Sequence, residues 1–148
     1  MSGHEPWNSV HLIADLTGCS GLDDAVLIER VLRDGAAAAR ATVLDVRLHG
    51  FGEGKGVTGV ALLAESHISI HSWPEEDFAA VDIFVCGSRC DPQAALAAIN
   101  NGLRARVSHT QTIGRAVRAA ADRPSAALRM PGGSGWPGAG RGWFPRSG

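Results

Sequence analysis

The stretch LLAESHISIHSWPEEDFAAVDIFVCG (62–87) brings together side chains that could attack a carbonyl or move a proton: Ser66, His67, His71, Glu75 and Cys86. Taken singly they say little. A serine beside a turn is usually a turn former, and a cysteine closing an apolar strand is usually a buried thiol. On a strand His67 and His71 lie about 13 Å apart, too far to share one ion, so no metal is expected. Strand register says more. If 67–73 and 78–86 form a hairpin centred near Glu76, Ser66 falls opposite Cys86. If 57–63 and 67–73 form a tight hairpin, Thr58 falls opposite His71, and the turn lands on Ala64 and Glu65. Ser66 and His71 are about 16 Å apart along an extended strand and point to opposite faces, so they do not meet within it.

The elements that must position these residues can be read from periodicity. VHLIADL (10–16) has a strand pattern, and TGCSGLDD (17–24) is rich in turn formers. Asp23 or Asp24 then caps a helix in AVLIERVLRDGAAAAR, with Val26, Leu27, Val31 and Leu32 inward and Glu29, Arg30, Arg33 and Asp34 outward. ATVLDVRL (41–48) alternates as a half-buried strand, and HGFGEGKG (49–56) reads as a loop. VTGVALLA (57–64), HISIHSW (67–73) and FAAVDIFVC (78–86) follow as strands without an intervening helix, which means antiparallel hairpins. DPQAALAAINNGLRAR (91–106) begins with an aspartate cap and proline, and places Leu96, Ile99 and Leu103 on one face. VSHTQTIG (107–114) suits an edge strand.

The expected architecture is α+β: a two-layer sandwich of an antiparallel sheet with two helices on one face, the other face free for a partner sheet. Residues 1–118 form one domain, and the Gly-, Pro- and Arg-rich 119–148 reads as a disordered tail. At 148 residues and 45% hydrophobic the chain suits a single core. A formal charge of -1 offers no field for nucleic acid or an anionic membrane. No run of about 18 apolar residues could span a bilayer, and no secretory leader is visible, so a cytoplasmic location is expected. Of the three cysteines, Cys19 and Cys90 have no evident partner, and no CxxC spacing suggests zinc. His11 and His49 read as ordinary partly buried histidines, and Trp73 as a packing residue.

The triplet Glu65-Ser66-His67, the block IHSWPE (70–75), AAVDIF (79–84) and the closing Cys86-Gly87 resemble the signature of the prokaryotic S-adenosylmethionine decarboxylase proenzyme family. Weaker resemblance runs from His11 to about Arg106. The resemblance implies a zymogen that cuts itself autocatalytically between Glu65 and Ser66. Ser66 then becomes a covalent pyruvoyl group, the only cofactor, which joins the substrate amine as an imine (Schiff base). It further implies that His71, supported by Thr58, assists processing, and that Cys86 returns a proton to the substrate. Glu75 is implied to bind the ribose hydroxyls, and Phe51 to stack on the adenine. The product would be the aminopropyl donor for spermidine synthesis, a carboxy-lyase activity of a sheet-to-sheet homodimer with shared active sites.

Two departures bear on the substrate. Thr58 stands where the family usually has serine, and the loop GEGKG (52–56) is unusually glycine-rich. Arginine or ornithine decarboxylation on the same scaffold, or a non-processing regulatory homologue, are the alternatives.

Overall fold

The computed structural model describes residues 8–116. Its elements are β1 (Asn8–Thr17), α1 (Ala25–Ala38), β2 (Val43–Gly50), β3 (Val57–Leu63), β4 (Ser66–Trp73), a 3₁₀ turn (Pro74–Glu76), β5 (Phe78–Cys86), α2 (Pro92–Gly102) and β6 (Arg106–Ala116). The six strands form one antiparallel sheet in the order β2-β3-β4-β5-β1-β6, so β6 is an edge strand as its sequence suggests. Residues 119–148, read as a tail, lie outside the described residues.

Alternation along the strands decides which face is covered. Leu12, Ala14 and Leu16 of β1, Ile68 and Ile70 of β4, and Ala79, Val81, Ile83 and Val85 of β5 are buried on one side. Ile28, Val31, Leu32 and Ala36 of α1 pack there with Leu96 and Ile99 of α2 and the following Leu103. The opposite face carries His11, Ile13 and Asp15, then His67, Ser69 and His71, then Asp82, Phe84 and Cys86, all half-buried. No helix covers it.

Asp24 is the cap of α1, its carboxylate accepting from the Val26 and Leu27 N–H groups at 2.9 and 3.1 Å. Val26 is 79% exposed rather than inward, because two residues before Ile28 is the side of the helix away from the buried stripe. The buried stripe starts at Ile28. Asp91 caps α2 through the Ala94 N–H. That helix stops at Gly102, short of Arg106, because Arg104 adopts a left-handed φ of 54° and Ala105 N–H turns back to the Asn100 carbonyl. The Gly50 end of β2 also reaches two residues into the expected loop.

The two hairpins around β4 differ from expectation in one respect. Thr58 pairs with His71 and Leu63 with Ser66, leaving Ala64 and Glu65 as the turn. Between β4 and β5, however, Ser66 faces Val85 and Trp73 faces Phe78, one residue off the register expected for Cys86. The 3₁₀ turn closed by Asp77 at φ 47° fixes the shorter connection.

Gly35 lies where α1 crosses α2: a Cβ there would meet the Ile99 side chain at 2.9 Å. Gly35→Val should force the helices apart and lower unfolding free energy by about 1–3 kcal/mol, measured by urea denaturation.

Candidate active site

Shifting the register by one places Cys86 opposite Glu65 rather than Ser66, and the consequence is chemical. The Glu65 carbonyl accepts two hydrogen bonds from one residue, the Cys86 N–H at 3.0 Å and the Cys86 thiol at 2.8 Å. Two donors on a carbonyl oxygen are what an oxyanion forming there would need. The next residue, Ser66, has φ 148°, a region that side chains other than hydrogen rarely occupy and that costs about 1–3 kcal/mol. Its hydroxyl lies 3.2 Å from His67 Nδ1. A polarised carbonyl, an adjoining hydroxyl and a strained peptide between them are the ingredients of an N-to-O acyl shift. They also fit Ser66 as precursor of a carbonyl group built into the chain.

Around this turn is a cavity of about 420 Å³ lined by Arg40, Thr42, Glu65, Cys86, Ser88, Arg89 and Cys90. Burial, with the nearby Glu65 carboxylate and Cys86, pushes the Cys90 thiol up from its ordinary range. Cys19 is likewise raised by burial and sits in the core away from the turn. Both are held as neutral thiols at neutral pH.

A second group of residues gathers at the other end of β4. His71 Nδ1 and the Thr58 hydroxyl are in direct contact across the β3–β4 ladder. The His71 ring is 4.2 Å from Trp73 and 5.8 Å from Phe51, centre to centre, and Phe51 in turn packs edge-on to His49 at 4.8 Å. Phe51, Lys55, Gly56, His71, Trp73 and Glu75 line a cleft of about 240 Å³. Aromatic faces beside a carboxylate can hold a flat heterocycle and its polar substituents. Gly56 is needed for the loop's close approach, since a Cβ would come within 1.9 Å of the Ser72 carbonyl oxygen.

The expected site residues thus fall into two clusters: Glu65, Ser66 and Cys86 in one, Thr58, His71, Glu75 and Phe51 in the other. Within one chain they are separated by the length of β4. Among the described residues no group of three or more His, Cys, Asp or Glu side chains could hold a metal ion, and no helix is long and apolar enough to cross a membrane.

A family model for S-adenosylmethionine decarboxylase matches residues 10–116, from the third residue of β1 to the end of β6. The chain belongs to that family. It is 42% identical over 125 residues to the S-adenosylmethionine decarboxylase proenzyme of Parasynechococcus marenigrum, covering 82% of this chain and 97% of that protein. With the proenzyme of the same name from Methanococcus aeolicus it shares 47% identity over 96 residues, 64% of this chain and 81% of the relative. The crystal structure of the adenosylmethionine decarboxylase from Aquifex aeolicus superposes with a TM-score of 0.67 at 33% identity, covering 78% of this chain and 97% of that one. The α+β sheet with two helices is therefore the fold of this decarboxylase family.

Several residues lining these two cavities carry no local sequence signal. Arg40 and Thr42, between α1 and β2, and Arg89, after β5, lie outside the strands and line the cavity at the turn only once the chain is folded. Trp73, read as a packing residue, does pack on Phe78 at 5.4 Å, yet it also walls the cleft. Ser72, 1% exposed beneath the cleft, accepts the Val57 N–H at 2.8 Å and donates to the Leu22 carbonyl at 2.7 Å. Ser72→Ala strands both partners in the interior and should cost about 1–3 kcal/mol, measured as a lower urea midpoint at unchanged slope.

Proposed function

We propose that this chain cuts itself between Glu65 and Ser66 and then decarboxylates S-adenosylmethionine, yielding carbon dioxide and the aminopropyl donor used in spermidine synthesis. The observation that carries this reading is the Glu65 carbonyl held by both Cys86 donors beside a strained Ser66. Family membership supports the substrate. The aromatic cleft with Glu75 favours a nucleoside over a small basic amino acid such as arginine or ornithine.

Processing begins when Ser66 Oγ bonds to the Glu65 carbonyl carbon, placing negative charge on the oxygen that Cys86 already contacts. The C–N bond then breaks and the nitrogen takes a proton, leaving an ester. Loss of the Ser66 α-proton expels the Glu65 carboxylate and leaves dehydroalanine. Tautomerisation and hydrolysis release ammonia, and residue 66 becomes pyruvoyl at the head of the second chain. That group, once present, supplies an electron sink for the departing carboxylate.

The other residues bind and deliver protons. Cys86 returns one to the substrate α-carbon as general acid, Glu75 accepts from the ribose hydroxyls, and Phe51 stacks on the adenine. His71 and Thr58 assist proton removal at residue 66. Five residues of extended strand, about 16 Å, separate His71 from Ser66 in one chain. We therefore infer a homodimer in which the open sheet faces meet and each site draws Ser66 and Cys86 from one copy, His71, Thr58, Glu75 and Phe51 from the other.

Intact mass of the purified protein should show two chains, 1–65 and 66–148, and carboxyl-labelled S-adenosylmethionine should release labelled carbon dioxide where arginine and ornithine do not. A single uncut chain from an active preparation would rule the mechanism out. Ser66→Ala should remain whole and inactive. Cys86→Ala should still be cut, more slowly, and the cut enzyme should form normal product about 10²- to 10⁴-fold more slowly, the range of a lost general acid.

A further inference from the structure

The turn that carries the bond to be cut is tied at a second point. The Glu65 side chain runs away from Cys86 to the start of β2, where its Oε2 accepts the Thr42 N–H at 2.9 Å and its Oε1 accepts the Thr42 hydroxyl at 3.3 Å. Thr42 completes the tie from the other direction, its carbonyl accepting the Ala64 N–H at 2.9 Å. Both residues of the turn are therefore bonded to one residue of the neighbouring strand, while the Glu65 carbonyl is bonded to Cys86.

We propose that the Glu65 carboxylate is a positioning residue for self-cleavage, a latch on Thr42 that keeps the scissile carbonyl seated on Cys86 and holds Ser66 in its strained conformation. This deepens the processing mechanism and rests on it. A free two-residue turn at a hairpin end would swing outward and let the Ser66 φ relax, because neither Ala64 nor Glu65 buries an apolar side chain that would hold it. With Thr42 gripping the carboxylate and Cys86 gripping the carbonyl, rotation of the Glu65 backbone breaks one bond or the other. The strain is thus kept next to the peptide whose cleavage releases it.

The latch depends on reach and on an acceptor oxygen, and on charge only secondarily. Glu65→Gln keeps an amide oxygen at the same distance for the Thr42 N–H. Glu65→Asp keeps the charge but withdraws it by one methylene, and Glu65→Ala removes it. Precursor made by cell-free translation and sampled by intact mass should be cut in the order Glu and Gln first, within about threefold of each other, with Asp and Ala about ten- to hundredfold slower, the range for loss of the two Thr42 hydrogen bonds. Thermal melts of Ser66→Ala paired with each substitution monitor folding in an uncut background. Loss of structure alone predicts no rank of Gln above Asp. Equal rates for wild type, Asp and Ala, or Asp faster than Gln, would overturn the latch while leaving self-cleavage intact. A wild-type precursor that stays whole would overturn self-cleavage and the latch with it.

Discussion

The pairing of Cys86 with the Glu65 carbonyl is the contact on which the rest of the site depends. It is the last rung between β5 and the β3–β4 turn, and it exists because β4 and β5 are joined by a four-residue connection, 74–77, that sets Trp73 opposite Phe78. One more residue in that connection would set Cys86 back opposite Ser66, short of the carbonyl. The thiol would then face a hydroxyl, and the oxygen on which charge would develop in the proposed cleavage would lose both donors. A local choice, Asp77 entering the left-handed region at φ 47°, thereby decides chemistry some distance along the hairpin.

Much of this was legible in the sequence because the physics is local. A two-residue turn between two alternating strands allows only one register that keeps Ile68 and Ile70 on the same side as Ala61 and Leu63, so Thr58 had to meet His71. Aspartate before an apolar run marked both helix starts. What escaped depended on conformations without a residue signature. Asp77 and Arg104 both take left-handed angles where glycine would have announced them, and each moved a boundary or a register by a residue or more. The Thr42 contact with Glu65 joins residues 23 apart in sequence, next to a bulge between Val43 and Asp45 where β2 begins beside the turn. Nothing in the local pattern encodes it.

The division of the site into two clusters also has a physical source. Side chains on a strand alternate faces, so a residue at the head of β4 and one five positions on cannot cooperate unless the chain bends or a second copy supplies the other half. The open face would provide the surface for the second solution in the proposed dimer. It is half-buried rather than polar throughout, with Ile13, Phe84, His11 and His67 among its side chains, and Phe84 packs against both histidines at 5.4 and 5.7 Å.

Strand order carries a consequence for what remains after a cut at residue 65. The first fragment would own β1, β2 and β3, the second β4, β5 and β6, yet in the sheet they are interleaved, with β1 inserted between β5 and β6. Two peptides would be woven through one sheet, with no covalent link between them. Such a molecule comes apart only by breaking three ladders at once, so it is long-lived. Once apart, its pieces must find each other by collision, and the severed amide does not re-form. Unfolding would then be effectively one-way, and the durability of the enzyme would be set by a rate rather than an equilibrium.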